Sequence, residues 1–468
     1  MLHFSSITAS VDHVERVTKV LILKLLSVGF ALLLLSGCAS YGVVENEAET
    51  EIHSGRGYSV KISGSRGSGD ITLILAFSGG GTRAAAFSYG VLQELRDTLV
   101  VIDGEPRRLL DEVDAISSVS GGSFTSAYYG LFGERIFEDF EDVFLKRNIE
   151  SELLHRLFNP LSWFRSTGRT EMAVGLYQQS VFHGKTFADM KARGGPLILI
   201  NASDLGYGVR FSFVQEYFDL LCSDISSFPV ARAVAASSAV PVLFNPVVVK
   251  NYSDCGDSRA AWMKAAEKRS LEAPELVEVV NGINTYANKD KRQYVHFVDG
   301  GITDNLGLRA LYEVVEIAGG GGAYLKRLHR KPPRRFVVIS VDASTDPEPQ
   351  MDKTAKQPSL SETIRAMSSA QLHRYNTTTE ELMREAIPRW AQQASTAQQT
   401  VEPHFIRVGF HDFLEHETLQ FFNRIPTSFD LSDRQVDRLV AAGRELLSGN
   451  AEFQRIVAEL GGNPGTRH

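Results

Sequence analysis

The sequence predicts an α/β fold, a largely parallel central sheet flanked by helices, with a helical C-terminal extension. Two observations carry that expectation. Ile71-Thr72-Leu73-Ile74-Leu75-Ala76-Phe77 is a near-continuous apolar run, the pattern of a strand buried on both faces. A glycine turn follows it, then Ala84 to Arg96, where Phe87, Val91 and Leu95 recur at the i+4 spacing of a helix face. The second observation is that this strand–turn–helix unit recurs. Val113 to Ser118 is a short strand followed by a small-residue helix start at Ser123 to Leu131. Leu197 to Ile200, Val247 to Val249, Tyr294 to Val298 and Phe336 to Val341 are further strand candidates with helical stretches between several of them.

The chain has 468 residues, 43% hydrophobic and 22% charged, a composition that supports a substantial core. Its formal net charge of −7 argues against nucleic acid as a partner, because phosphate binding needs a clustered basic surface. One basic run, Lys326, Arg327, Arg330, Lys331, Arg334 and Arg335, reads as a solvated loop or as a contact with anionic lipid.

The N-terminus reads as a targeting segment. Arg16, Lys19 and Lys24 form a basic stretch, and Leu25 to Gly37 is an apolar run too short to span a bilayer. It ends in Leu35-Ser36-Gly37-Cys38, which resembles the bacterial lipoprotein box, in which the cysteine is lipidated and becomes the first residue. An ordinary secretory signal or an uncleaved anchor is the alternative. The resemblance implies a signal peptide at 1–37, attachment to the cell envelope through Cys38 and, with Ala39 rather than Asp after it, the outer membrane. Cys222 and Cys255 then remain, to pair as a disulfide in an oxidising compartment or to lie buried as two thiols.

Residues 38–70, polar and rich in Glu, Ser and Gly, read as a tether. Residues 71–345 carry the α/β pattern. Within them, 132–195 reads as an insertion that holds Leu153, Leu154, Leu157, Phe158, Leu161, Trp163 and Phe164, either as a packed helix pair or as an apolar lip. Residues 346–468 are mainly helical, with one strand candidate at Phe405 to Val408. A capping box at Ser432 and Gln435 opens a helix whose Val436, Leu439, Val440 and Gly443 mark a face that packs on the core. Gly319 to Gly322 reads as a flexible turn, since no Lys-Ser/Thr follows in Walker spacing.

Three short motifs carry chemistry. Gly79-Gly80-Gly81-Thr82-Arg83 lies between the first strand and its helix, where backbone N–H groups and the helix dipole bind anions and would serve a developing oxyanion. Ser118-Val119-Ser120-Gly121-Gly122-Ser123 lies between a strand and a helix. A nucleophile on such a sharp turn needs small neighbours, and Ser120, unlike Ser117, Ser118 and Ser123, has a glycine at the spacing of G-x-S-x-G. Asp299-Gly300-Gly301 ends the strand Tyr294 to Val298 and places a carboxylate at a strand end. Taken singly, each also reads as an ordinary turn.

In this order the three are similar to the patatin-like phospholipases, and Ala235 to Pro246 resembles that family's alanine-serine helix ending in x-P-x-x-F-x-P. The resemblance covers residues 71–345. It implies a three-layer fold and a serine lipid-acyl hydrolase that acts on phospholipid or another fatty-acyl ester. Ser120 is then the nucleophile, Asp299 its base, and Gly79, Gly80 and Gly81 the oxyanion hole. Gly122, Gly300 and Gly301 match the flanking glycines. Arg83 matches the family's basic position, to steady the loop or attract a phosphate. Ser118 replaces the first glycine of the elbow. No cofactor is expected, and no His/Cys set has zinc spacing. Two other readings stay open: a Ser-Asp-His triad esterase using His404 or His411, and a non-catalytic lipid-binding envelope lipoprotein.

Overall fold

The structure, a computed structural model, describes residues 42–50, 57–62, 67–149, 168–241, 243–253, 255, 261–348 and 351–462. The strands of its main sheet are β1 (Ile71–Phe77), β2 (Val113–Val119), β3 (Leu197–Asp204), β4 (Val209–Ser212), β5 (Val247–Lys250), β6 (Tyr294–Val298), β7 (Arg335–Asp342) and β8 (Glu402–Gly409). Their order is β8-β7-β1-β2-β3-β6-β5, with β4 also paired to β3. The five strands from β8 to β3 run parallel, whereas β4 and β6 are antiparallel to β3. Every residue of β1 and β2 is buried, because helices cover both faces.

β3 explains how two distant motifs meet. Asn201 pairs with Val119 of β2 and with Ser212 of β4, while Ser203 pairs with Val298 of β6 and with Arg210 of β4. β4 therefore occupies one edge of β3, and β2 and β6 share the other, end to end. They run towards each other and stop opposite residues 201 and 203. The next residue on one is Ser120 and on the other Asp299.

The helices needed below are α1 (Gly81–Asp97), α2 (Gly121–Phe132), α3 (Val230–Ser237), α4 (Leu308–Ala318), α5 (Leu360–Ala394), α6 (Asp433–Ser448) and α7 (Ala451–Glu459). The C-terminal region is woven into the core. β8 continues the sheet beside β7 over its whole length, and the face of α6 formed by Val436, Leu439, Val440 and Gly443 is buried against α1. Gly90 of α1 and Gly443 of α6 face each other, so the two backbones come into direct contact.

Several expectations change. Residues 42–50 and 57–62 are not a free tether: Glu47–Ala48 pairs with Ser223–Asp224, the Asn46 amide caps Lys250, and Tyr58 is buried with its hydroxyl accepting the Ile198 N–H. These polar residues find main-chain partners that a composition reading cannot supply. Gly320 and Gly321 are not a flexible turn but pack against Gln393 and the Trp390 backbone of α5. β4 was not expected, because its alternation hides a buried arginine, Arg210, whose partner Glu313 lies on α4. The apolar residues between 153 and 164, the segment 1–37 and Cys38 lie outside the described residues. Cys222 and Cys255 are joined, with Cα atoms 5.4 Å apart.

Candidate active site

Ser120 stands at the turn from β2 into α2 with φ 50° and ψ −119°, a region that a non-glycine residue enters only when its surroundings hold it there. The Ser120 N–H donates to Ser237 Oγ at 2.8 Å, and Ser237 Oγ donates to the Asn201 carbonyl at 2.6 Å. Gly121 is required by proximity, since a Cβ there would strike the Gly81 carbonyl, and one at Gly122 would come 2.7 Å from the Ser78 carbonyl. The elbow and the glycine loop thus lie backbone against backbone. Ser118, in place of the elbow's first glycine, is fully buried and turns its hydroxyl to the Leu199 carbonyl.

Ser120 Oγ donates to Asp299 Oδ2 at 2.8 Å. The other carboxylate oxygen accepts the Gly301 N–H at 2.8 Å. Asp299 N–H is anchored on the Ala239 carbonyl and Gly300 N–H on the Ser237 carbonyl, both at 3.0 Å. The C-terminal end of α3 therefore positions both members of the pair. Ser120 is 5% and Asp299 9% exposed. Burial pushes the Asp299 carboxyl up to about 6, against the hydrogen bonds from Gly301 and Ser120 that favour its charge. Ser117, Ser118 and Ser123 instead join Asn201 and Ser237 in a buried hydrogen-bonded seam behind the elbow.

The glycine loop rests on Ser120: a Cβ at Gly79 would stand 3.3 Å from Ser120 Cβ. Gly80 and Gly81 have φ of 141° and 61°, which side chains resist. The loop amides are not equivalent. Gly79 N–H donates to the Asn305 carbonyl and Thr82 N–H to the Ser428 carbonyl, both at 3.0 Å. Of the three amides expected to face an oxyanion, that of Gly79 is thus occupied, and those of Gly80 and Gly81 have no acceptor among the described residues. α1 and α2 both start here, so two positive helix ends converge on the serine.

Arg83 is buried, and its donors engage residues other than the serine. Its Nε, Nη1 and Nη2 donate to the Ala343 carbonyl (2.9 Å), the Ile425 carbonyl (2.6 Å) and Thr427 Oγ1 (3.0 Å). Burial pulls its pKa down to about 10, opposed by nearby Asp342.

Among the described residues no histidine bonds Ser120 or Asp299. His404 is buried against Glu452 at 2.7 Å and lies opposite Val337, near the amino end of β7 and away from the serine. His411 pairs with Asp412 at 3.3 Å. The basic run also leads to the amino ends of the strands, where Arg330 pairs with Asp114, Arg334 with Asp70 and Arg335 with Glu402. Among the described residues no three His, Cys, Asp or Glu side chains are placed to hold a metal ion, and no helix is long and apolar enough to cross a membrane.

The sequence reading missed Ser237 as the anchor of the elbow, although it stands within the alanine-serine stretch. It also missed Asn201, a polar residue within an apolar strand, and Asn305 and Ser428, which act through main-chain carbonyls and leave no side-chain signal.

An α/β sheet whose two converging strand ends present a serine to a buried carboxylate, beside a glycine turn at a helix start, is an arrangement that can carry acyl transfer. The chain belongs to the patatin-like phospholipase family, whose pattern matches residues 75–312. That family is one of lipid hydrolases of the phospholipase type. No curated protein matches the sequence. Among solved structures it is similar to human GIVD cytosolic phospholipase A2 (12% identity, TM-score 0.45), covering 84% of this chain and 62% of that one. The same human protein in complex with methyl gamma-linolenyl fluorophosphonate gives 14% identity, TM-score 0.38, and coverage of 84% and 59%. The chain thus spans less than two thirds of that protein.

Proposed function

We propose that this protein is a serine lipid-acyl hydrolase, of the phospholipase A or lysophospholipase kind, that works through a Ser120–Asp299 dyad and an acyl-enzyme. The observation that carries this reading is the 2.8 Å hydrogen bond from Ser120 Oγ to Asp299 Oδ2. With the two side chains in direct contact, no imidazole stands between them, which favours the dyad over the triad.

In this mechanism Asp299 accepts the Ser120 proton as Oγ attacks the ester carbonyl. The Gly80 and Gly81 N–H groups and the two helix ends stabilise the oxyanion. Collapse expels the alcohol, which takes the proton from Asp299, and leaves the acyl group on Ser120. Water then gives its proton to Asp299 as it attacks the acyl-enzyme, and Asp299 passes that proton to Ser120 Oγ as the fatty acid leaves, which restores the free serine. A carboxyl near 6 is a better base than an ordinary aspartate and still ionised at neutral pH.

Turnover of a p-nitrophenyl fatty-acid ester and of a phospholipid by the purified protein tests this. Ser120→Ala and Asp299→Asn are each expected to lower kcat about a thousandfold or more. Replacing His404 or His411 with Gln should change it less than about tenfold. Loss of activity in a folded histidine variant would replace the dyad with the triad. A wild-type protein silent on every ester would leave the non-catalytic lipoprotein reading.

Attachment to the cell envelope, at the outer membrane, through lipidated Cys38 is part of the same proposal and is supported by Leu35 to Cys38 and Ala39 alone. Cys38→Ser should abolish radiolabelled-palmitate incorporation. Unchanged labelling would refute it.

A further inference from the structure

We infer that Arg83 and the C-terminal segment Ile425–Ser428 form a clamp that holds the glycine loop in its oxyanion-binding conformation, and that Arg83 acts on the loop rather than on a headgroup phosphate. The inference rests on the hydrolase reading above and names a positioning device for it.

Three facts converge on it. First, all three guanidinium nitrogens of Arg83 have acceptors within the protein, two of them on Ile425 and Thr427, and the side chain is 4% exposed. An arginine so placed has each of its nitrogens already engaged within the protein and almost no exposed surface to offer to a phosphate. Its Nη2 stands 3.3 Å from where a Cβ of Gly80 would be, so the planar group supports the loop from beneath.

Second, the loop is held on both sides and free in the middle. Gly79 N–H is bound to the Asn305 carbonyl, and Thr82 N–H to the Ser428 carbonyl. Between these anchors lie the two residues with positive φ, Gly80 and Gly81, and the Ser428 carbonyl would stand 2.6 Å from a Cβ on Gly81. The segment therefore takes up one helix-start amide and leaves two to the reacting carbonyl. Oxyanion stabilisation depends on donors that need no rearrangement when charge develops, so a loop pinned on both sides is the catalytically useful state.

Third, the outer jaw comes from beyond residues 75–312, the part that matches the family. It is itself fixed: Phe429 packs edge-on against Phe124 of α2, with ring centroids 5.7 Å apart, and α6, which follows, lies along α1.

The test compares wild type, Ser120→Ala, Arg83→Met, Thr427→Val and Thr427→Ser on two substrates, a p-nitrophenyl fatty ester, which carries no phosphate, and a lysophospholipid. The clamp predicts that Arg83→Met lowers kcat about a hundredfold on both, with KM within about threefold. Thr427→Val should lower kcat about three- to tenfold on both, and Thr427→Ser should restore it. Thr427 is exposed, so its variants keep the fold, which circular dichroism melting checks, and they carry the test if Arg83→Met does not fold. Unchanged kcat in Thr427→Val, with wild type active and Ser120→Ala dead, would overturn the clamp and leave the hydrolase reading intact. So would an Arg83→Met variant that keeps its kcat on the neutral ester and loses KM on the lysophospholipid alone. A wild type inactive on both substrates would overturn the hydrolase reading and the clamp together.

Discussion

At Asp299 two opposing effects meet. Hydrogen bonds from Gly301 and Ser120 favour the carboxylate, and burial disfavours it more, so the group titrates near 6. Two measurements follow. In the proposed mechanism Asp299 must be ionised to accept the serine proton, so the limb of the kcat/KM profile that rises with pH should have its midpoint near 6 rather than near 4. The same shift bears on stability. The folded state holds the Asp299 proton more tightly than the unfolded chain, so stability falls as pH rises from about 4 through about 6 and stays lower above that. Asp299→Asn removes the buried charge. It should unfold at higher urea than wild type at pH 8, by an amount on the order of 2–3 kcal/mol, with the gap closing towards pH 4. A gap independent of pH would show that Asp299 is not the titrating group.

At the scale of elements, the decisive arrangement is the head-on approach of β2 and β6 along one edge of β3. Each strand alone is an ordinary run, and only their shared partner turns two chain ends into a site. The periodicity in the sequence found these strands well, and the observed bounds of β1 and β6 coincide with the apolar runs. β4 escaped because Arg210 is buried by virtue of Glu313, 103 residues away, and no local pattern announces such a pair. The pairing of α6 with α1 was legible as an apolar face, but its partner was not. Gly443 lets that contact close, since a Cβ there would strike the Phe87 carbonyl of α1. Gly443→Ala should therefore lower stability by about 1–3 kcal/mol, read as a lower urea midpoint. An unchanged midpoint would mean that the two helices separate without penalty.

At the scale of the whole molecule, segments remote in sequence brace the half of the site built by α3. Arg232 of α3 is 1% exposed and lies between Glu45 at 2.6 Å and Glu171 at 2.7 Å, which ties the N-terminal segment to the helix that anchors both Ser120 and Asp299. The Glu47–Ala48 strand docks on Ser223–Asp224, beside the Cys222–Cys255 bond, and Glu49 N–H donates to the Cys222 carbonyl at 2.9 Å. Replacing both cysteines with serine should cost roughly 3–4 kcal/mol through loop closure, seen in denaturant unfolding. Mature protein denatured without reductant should show no alkylatable thiol at either position. Two reactive thiols there would contradict the bond.

By itself the sequence determined the class of fold and singled out Ser120, Asp299 and the glycine loop. These depend on local rules: apolar runs that must be buried on both faces, and turns that tolerate only small residues. The Cys222–Cys255 pairing stayed open, because a Cα separation is not a local property. Only the tertiary structure decided which loop amides remain free, where the arginine points and how basic the aspartate is. Gly79 and Thr82 lose their N–H groups to carbonyls of Asn305 and Ser428, Arg83 turns to residues 425 and 427, and Asp299 is raised by surroundings drawn from several elements. Main-chain carbonyls carry no residue identity, and desolvation belongs to a packed volume rather than to a side chain, so neither can be read before the chain has folded.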